Sequence, residues 1–145
     1  MLNITYTFRN PEKSREFNYL APSCQKMFYL LCHILNEMGY DVIITSMVRP
    51  VNTVKNESGV HATGRALDCV PMKRSDVKAI QTSTAYDQEM KIVADCINKM
   101  LPRKDGISTV IWHSVPGGGG LHFHVQVPFS PTYKDLKGLV PVTDA

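Results

Sequence analysis

Leu121-His122-Phe123-His124-Val125-Gln126-Val127 is the stretch on which the reading of this chain turns. Leu121, Phe123, Val125 and Val127 are apolar, while His122, His124 and Gln126 take the alternate places, the period-two pattern of a half-buried strand. Successive strand side chains point to opposite faces, so the apolar set turns toward a core and both imidazoles emerge on the polar face. There, one imidazole can hold a metal while the other lies over the metal's open position. Taken alone, the pair also reads as two half-exposed histidines on a sheet surface.

Working back from this strand, Gly117 to Gly120 form a glycine turn, and Gly106 leads into a strand over Ile107 to Trp112. Thr84 and Asp87 have capping-box spacing, and Tyr86, Met90, Val93, Ile97 and Met100 recur on one face of a helix that ends before Pro102. Ala66 to Val70 reads as a buried strand stopped by Pro71, and Tyr40 to Val48 as another. Between them, Arg49 to Gly64 is polar and forms a long loop, a feature that in a small domain is usually functional or mobile. From Ser23 to Met38 the residues Cys24, Met27, Phe28, Leu31, Ile34, Leu35 and Met38 repeat at helical spacing, with Pro22 at the entrance and Gly39 just past the end. Asn10 to Asn18 reads as a connecting loop, and Leu2 to Phe8 alternates as a short strand. The order predicts a single α+β domain over residues 1–145, with helices packed on a small, largely antiparallel sheet.

The composition excludes several classes. With 145 residues the chain can bury most of its surface, and it needs no disulfide or metal merely to fold. Hydrophobic residues at 43% against 20% charged mark an ordinary globular chain rather than a disordered one. A formal charge of +3, with no dense Lys/Arg run, argues against a nucleic-acid partner and leaves only a weak bias toward anionic polymers. The longest apolar stretch, Met27 to Leu35, is too short to span a bilayer, so no membrane insertion is expected. Met1 to Arg9 lacks the pattern of a secretory signal, which predicts synthesis in the cytosol. Cys24, Cys32, Cys69 and Cys96 include no C-x-x-C pair. Cys24 and Cys32 lie roughly 12 Å apart along their helix, too far to bridge, so reduced thiols are expected.

A second cluster carries chemistry. His61-Ala62-Thr63-Gly64-Arg65-Ala66-Leu67-Asp68 sets a histidine and a carboxylate seven residues apart, on opposite faces if the strand ran straight. Gly64 can break that geometry and leave His61 at the loop end while Asp68 comes from the strand. A carboxylate among Ala66, Leu67, Cys69 and Val70 needs a partner, because burying an unpaired charge is costly. A salt bridge to Arg65 or Arg49 would serve. So would a metal, since two imidazoles and a carboxylate are a recognised zinc ligand set that leaves a fourth position for water.

The segment Thr45-Ser46-Met47-Val48-Arg49, the stretch His61 to Asp68, and His122-Phe123-His124 together resemble the zinc peptidases that include D-alanyl-D-alanine carboxypeptidases and phage endolysins. That wider group also takes in lysostaphin-like enzymes and the hedgehog signalling domain. Its pattern is a strand ending in Ser-x-x-Arg, then Ser-x-His-x-x-Gly-x-Ala-x-Asp, then a terminal strand bearing the last histidine. His61, Gly64, Ala66 and Asp68 are in register with it, Ser46 and Arg49 lie upstream, and the likeness covers roughly residues 20 to 128. The resemblance implies a fold like that of the hedgehog and D-Ala-D-Ala peptidase domains, and zinc held by His61, Asp68 and His124. It further implies that Arg49 stabilises negative charge on the reacting carbonyl, a task suited to a guanidinium. The substrate it implies is a stem peptide or cross-link of bacterial peptidoglycan, cut by a monomeric enzyme in a phage or prophage setting.

Two departures from the pattern stand out. Gly59 occupies the place where many relatives have a serine, with Ser58 one residue further off. Leu121 stands where many have an acidic base, and no carboxylate occurs between Gly106 and His124. His122 is therefore the candidate base, with His113 a weaker one that otherwise reads as a strand-edge or site-wall residue. His33, on the apolar helix, reads as structural. The missing acidic base leaves open a second reading, a non-catalytic zinc-binding module of the same fold. A retained Arg49 argues against it.

Overall fold

The computed structural model describes residues 4–48, 64–74, 86–114 and 120–128. Pro22 begins α1 (Pro22–Glu37), where its missing N–H costs nothing, and Gly39, at φ +92°, makes the left-handed exit that returns the chain into the sheet. Cys24, Phe28, Leu31, Cys32 and Leu35 are the buried stripe of this helix, while Met38, expected on the same face, is exposed. α2 (Asp87–Met100) buries Met90, Val93, Ala94 and Ile97, and Met100 at its end also points outward. Thr84, the expected cap of this helix, lies outside the described residues.

The strands are β1 (Tyr6–Phe8), β2 (Tyr40–Ser46), β3 (Ala66–Lys73), β4 (Val110–His113) and β5 (His122–Gln126), in the order β1-β2-β3-β5-β4. β2, β3, β5 and β4 pair antiparallel, but β1 pairs parallel to β2, so the sheet is mixed rather than antiparallel. The cause is the connection: the chain leaves β1, crosses the sheet through α1, and re-enters beside β1 in the same direction. Among the described residues these elements form one α+β unit with its helices on the sheet, and none of its helices is long and apolar enough to cross a membrane.

Two local expectations are corrected. Pro11–Tyr19, read as a loop, is a 3-10 helix whose Phe17 enters an aromatic cluster with Tyr6, Phe8, Phe28 and Tyr29. One buried aromatic in nine residues leaves no periodic signal, so only the packing reveals it. β3 does not stop at Pro71 but runs on to Lys73. Its pairing with β5 ends at Cys69, so Pro71 lies where that side of β3 has become an edge and no N–H is required.

The sheet has two unlike faces. Val42, Ile44, Leu67, Cys69, Val110, Trp112, Phe123 and Val125 join α1 and α2 in one apolar core. The alternate residues of β3, β4 and β5 point the other way and carry the polar groups. The cysteines are free: Cys24, Cys32 and Cys69 are buried, and Cys96 is exposed. Burial pushes the Cys24 thiol up to about 12 and the Cys32 thiol to about 11, which keeps both protonated.

Candidate metal centre

Register brings the polar residues of three strands together. On β3 and β5, Asp68 pairs directly with His124, and on β4 and β5, His113 pairs directly with His122. Directly opposed residues share a face, so Asp68, His113, His122 and His124 form one cluster on the side of the sheet away from the helices. On the β2 side the register with β3 slips by one residue between Ile44 and Ser46, which places Ser46 rather than Thr45 opposite Asp68. Such a bulge re-aims side chains, and here it turns the end of β2 toward the cluster.

His124 Nδ1 lies 2.9 Å from Asp68 Oδ1, with Asp68 only 7% exposed. This contact answers the need of a buried carboxylate for a positive partner. The two atoms also fit a metal. Zinc bonds of about 2.0–2.2 Å set neighbouring tetrahedral ligand atoms roughly 3.4 Å apart, so a slight opening of the contact would admit the ion. Among the described residues no group of three His, Cys, Asp or Glu side chains is arranged to hold a metal, and His61, the other expected ligand, lies outside them. Arg49 lies outside the described residues as well. The donor chemistry at Asp68 and His124 therefore fits two ligands of the expected three.

His122 is 9% exposed, and its Nδ1 lies 2.8 Å from the Gly120 carbonyl. A carbonyl only accepts, so Nδ1 carries a proton, and in the neutral ring Nε2 keeps the lone pair. That lone pair stands 3.9 Å from Asp68 Oδ2, at the edge of the cluster, as a proton acceptor would.

His113 enters the same group. Its ring centroid is 5.0 Å from that of His122 and 5.8 Å from that of His124, and its Nε2 is buried with no hydrogen-bond partner among the described residues. Burial, reinforced by charge on His122 and His124, pushes its pKa below the ordinary histidine range, against an opposing pull from Asp68. A residue read as the weaker candidate thus forms a wall of the site. α2 positions it: Asn98 Oδ1 accepts from the backbone N–H of Thr109 and Val110 at 3.0 Å each, and Asn98 Nδ2 donates to the Val110 carbonyl at 2.8 Å. Trp112 Nε1 donates to Asp87 Oδ1 at 2.6 Å, fixing the same strand to the start of α2.

Gln126, whose only signal in the sequence is its place in the alternation, lies two residues past His124 on the same face. Its Oε1 is 3.1 Å from His124 Nε2, and its Nε2 donates to the Ser108 carbonyl at 2.9 Å. No protein-family model, curated protein or solved structure matches the chain.

Proposed function

We propose that this protein is a zinc-dependent peptidase acting on the peptide part of bacterial cell walls, with His61, Asp68 and His124 as ligands and His122 as general base. The observation that carries the reading is the buried contact of His124 Nδ1 with Asp68 Oδ1, beside a histidine whose Nε2 lone pair is left available. The peptidoglycan substrate and the roles of His61 and Arg49 rest on the sequence resemblance.

Zinc, when bound, lowers the pKa of a coordinated water toward neutrality and polarises the substrate carbonyl. His122 Nε2 takes a proton from the attacking water and returns one to the leaving amine, so one water adds across the C–N bond that breaks. The Gly120 carbonyl, by holding the Nδ1 proton, keeps that nitrogen out of the reaction and directs Nε2 to it. Arg49 stabilises the negative charge that develops on the carbonyl oxygen.

The test joins metal analysis of the purified protein to digestion of purified peptidoglycan by the zinc-loaded protein. One zinc per chain and release of wall peptides are expected, with metal lost in His61→Ala. Full zinc occupancy in His61→Ala would refute the ligand set. Arg49→Ala should keep the metal and lower the rate roughly a hundredfold or more, with Arg49→Lys recovering only part. Zinc binding without hydrolysis of any wall peptide would instead favour a non-catalytic zinc module.

A further inference from the structure

The turn from Arg103 to Ile107, between α2 and β4, is held by its own polar groups. The Gly106 N–H donates to the Arg103 carbonyl at 3.1 Å, and Asp105 Oδ1 accepts from the Ile107 N–H at 3.0 Å. Gly106, at φ +74°, takes the left-handed conformation that closes the turn. Beside it lies a cleft of about 110 Å³, whose lining includes Leu101, Pro102, Arg103, Ile107 and Ser108. Leu101 and Ile107 are 47% and 50% exposed, so the cleft opens to solvent along an apolar rim. Ser108 accepts from Gln126, whose other end meets His124, so the cleft adjoins the candidate metal centre without including it.

Arg103 is the unusual group in this wall. Its side chain is only 9% exposed, and its Nη2 pairs with Asp105 Oδ2 at 2.5 Å. Its Nε is buried with no hydrogen-bond partner among the described residues. A guanidinium offers five N–H donors in a fixed fork, and a buried donor left unmet is costly, more so on a charged group. Asp105 spends its other oxygen on Ile107 and does not supply Nε. Arg65 stands near: burial first, and then the charge of Arg103, lower its pKa.

We propose that this cleft is a binding site for a short aliphatic carboxylate, its charge held by the Arg103 guanidinium and its stem by Leu101, Pro102 and Ile107. The guanidinium fork matches a carboxylate, and the apolar rim suits a hydrocarbon stem. Asp105 offsets part of the positive charge, which favours a monovalent anion over a phosphate dianion. An apolar cavity of about 150 Å³ holds benzene, so this one has room for roughly four or five heavy atoms. The turn's internal hydrogen bonds hold the cleft ready, which lowers the cost of ordering it on binding.

The test titrates 15N-labelled full-length, zinc-free protein with sodium butyrate, keeping ionic strength at about 0.1 M with chloride so that distant charges are screened. Butyrate should move the Arg103 Nε–H signal and the Ile107 and Thr109 amides along one saturable curve. Arg103→Lys, which keeps the charge but not the fork, should weaken binding about ten- to a hundredfold. Ile107→Asp sets a like charge on the exposed rim, leaves the core untouched, and should weaken it about fivefold or more. Should the lysine variant not fold, Ile107→Asp decides. Shifts that chloride alone reproduces, that never saturate, or that persist unchanged in either folded variant would overturn the proposal. Tighter binding of inorganic phosphate than of butyrate would overturn the choice of a carboxylate. A purified stem peptide that displaces butyrate makes the cleft a subsite for the wall peptide's own carboxylate, and one that does not leaves a free acid as its ligand. Either result supports the site, which stands whether or not the metal reading does.

Discussion

His122 and His124 are the same residue type, two places apart on one strand, yet their surroundings divide their roles. His124 has both ring nitrogens engaged, Nδ1 at Asp68 and Nε2 at Gln126, as suits a ligand. His122 spends Nδ1 on a backbone carbonyl, and its Nε2, 3.9 Å from Asp68 Oδ2, is the atom to which the proposed function gives proton transfer. His122→Ala should therefore keep zinc and lose about a hundred- to ten-thousandfold in turnover, the usual contribution of a general base. His124→Ala should lose the metal. Zinc content and hydrolysis measured on the same preparations check both, and the opposite pattern would mean that the two roles are exchanged.

At the scale of elements, two polar anchors set where the site strands lie. Asn98 binds three backbone groups at the start of β4, and in Asn98→Ala the buried Thr109 and Val110 groups lose their partner. Leaving such groups unsatisfied costs about 1–3 kcal/mol, to be read from urea unfolding, and activity should fall because β4 carries His113. Glu16, in the 3-10 helix, accepts from the Val48 backbone N–H just past β2. Desolvation holds its carboxyl above the ordinary glutamate range, against the pull of Lys13, the Val48 N–H and Arg15. The folded protein thus binds this proton more tightly than the unfolded chain does. Its contribution to stability is present at acid pH and is lost as pH rises through the raised folded value. Glu16→Gln keeps an oxygen for Val48, so it should melt higher than the parent at neutral pH. Thermal scans should show the difference vanish below the ordinary glutamate range.

For the whole molecule, a metal at Asp68 and His124 would link β3 to β5, residues 56 apart in the chain, and with His61 the segment ahead of β3. A ligand that binds only the folded state stabilises it by about 2.7 kcal/mol at a hundredfold excess over its Kd. For a chain of this size that corresponds to roughly 5–10 °C in melting temperature. Chelation should lower the melting point by that much and zinc should restore it, while Asp68→Asn should melt alike with and without chelator. A parent protein indifferent to chelator would count against the metal.

Much of the local structure was legible in the residues. Alternation fixes the faces of β5, helical spacing with Pro22 and Gly39 bounds α1, and both readings hold because the chemistry that decides them lies within one element. The same locality explains the misses. The direction of β1 depends on the path of α1 over the sheet, and Phe17 needs four aromatic neighbours from two other elements before its segment has a reason to coil. Pro71 belongs to β3 only because β5 ends short of it. At the site, sequence alone puts His122 and His124 on one face. That Asp68 opposes His124, that His113 joins them, and that Gln126 reaches Ser108 are decided by strand register, which no single segment specifies. Register is set by burying Phe123, Val125, Leu67 and Cys69 against the helices, so the polar face takes its geometry from the packing of the opposite one.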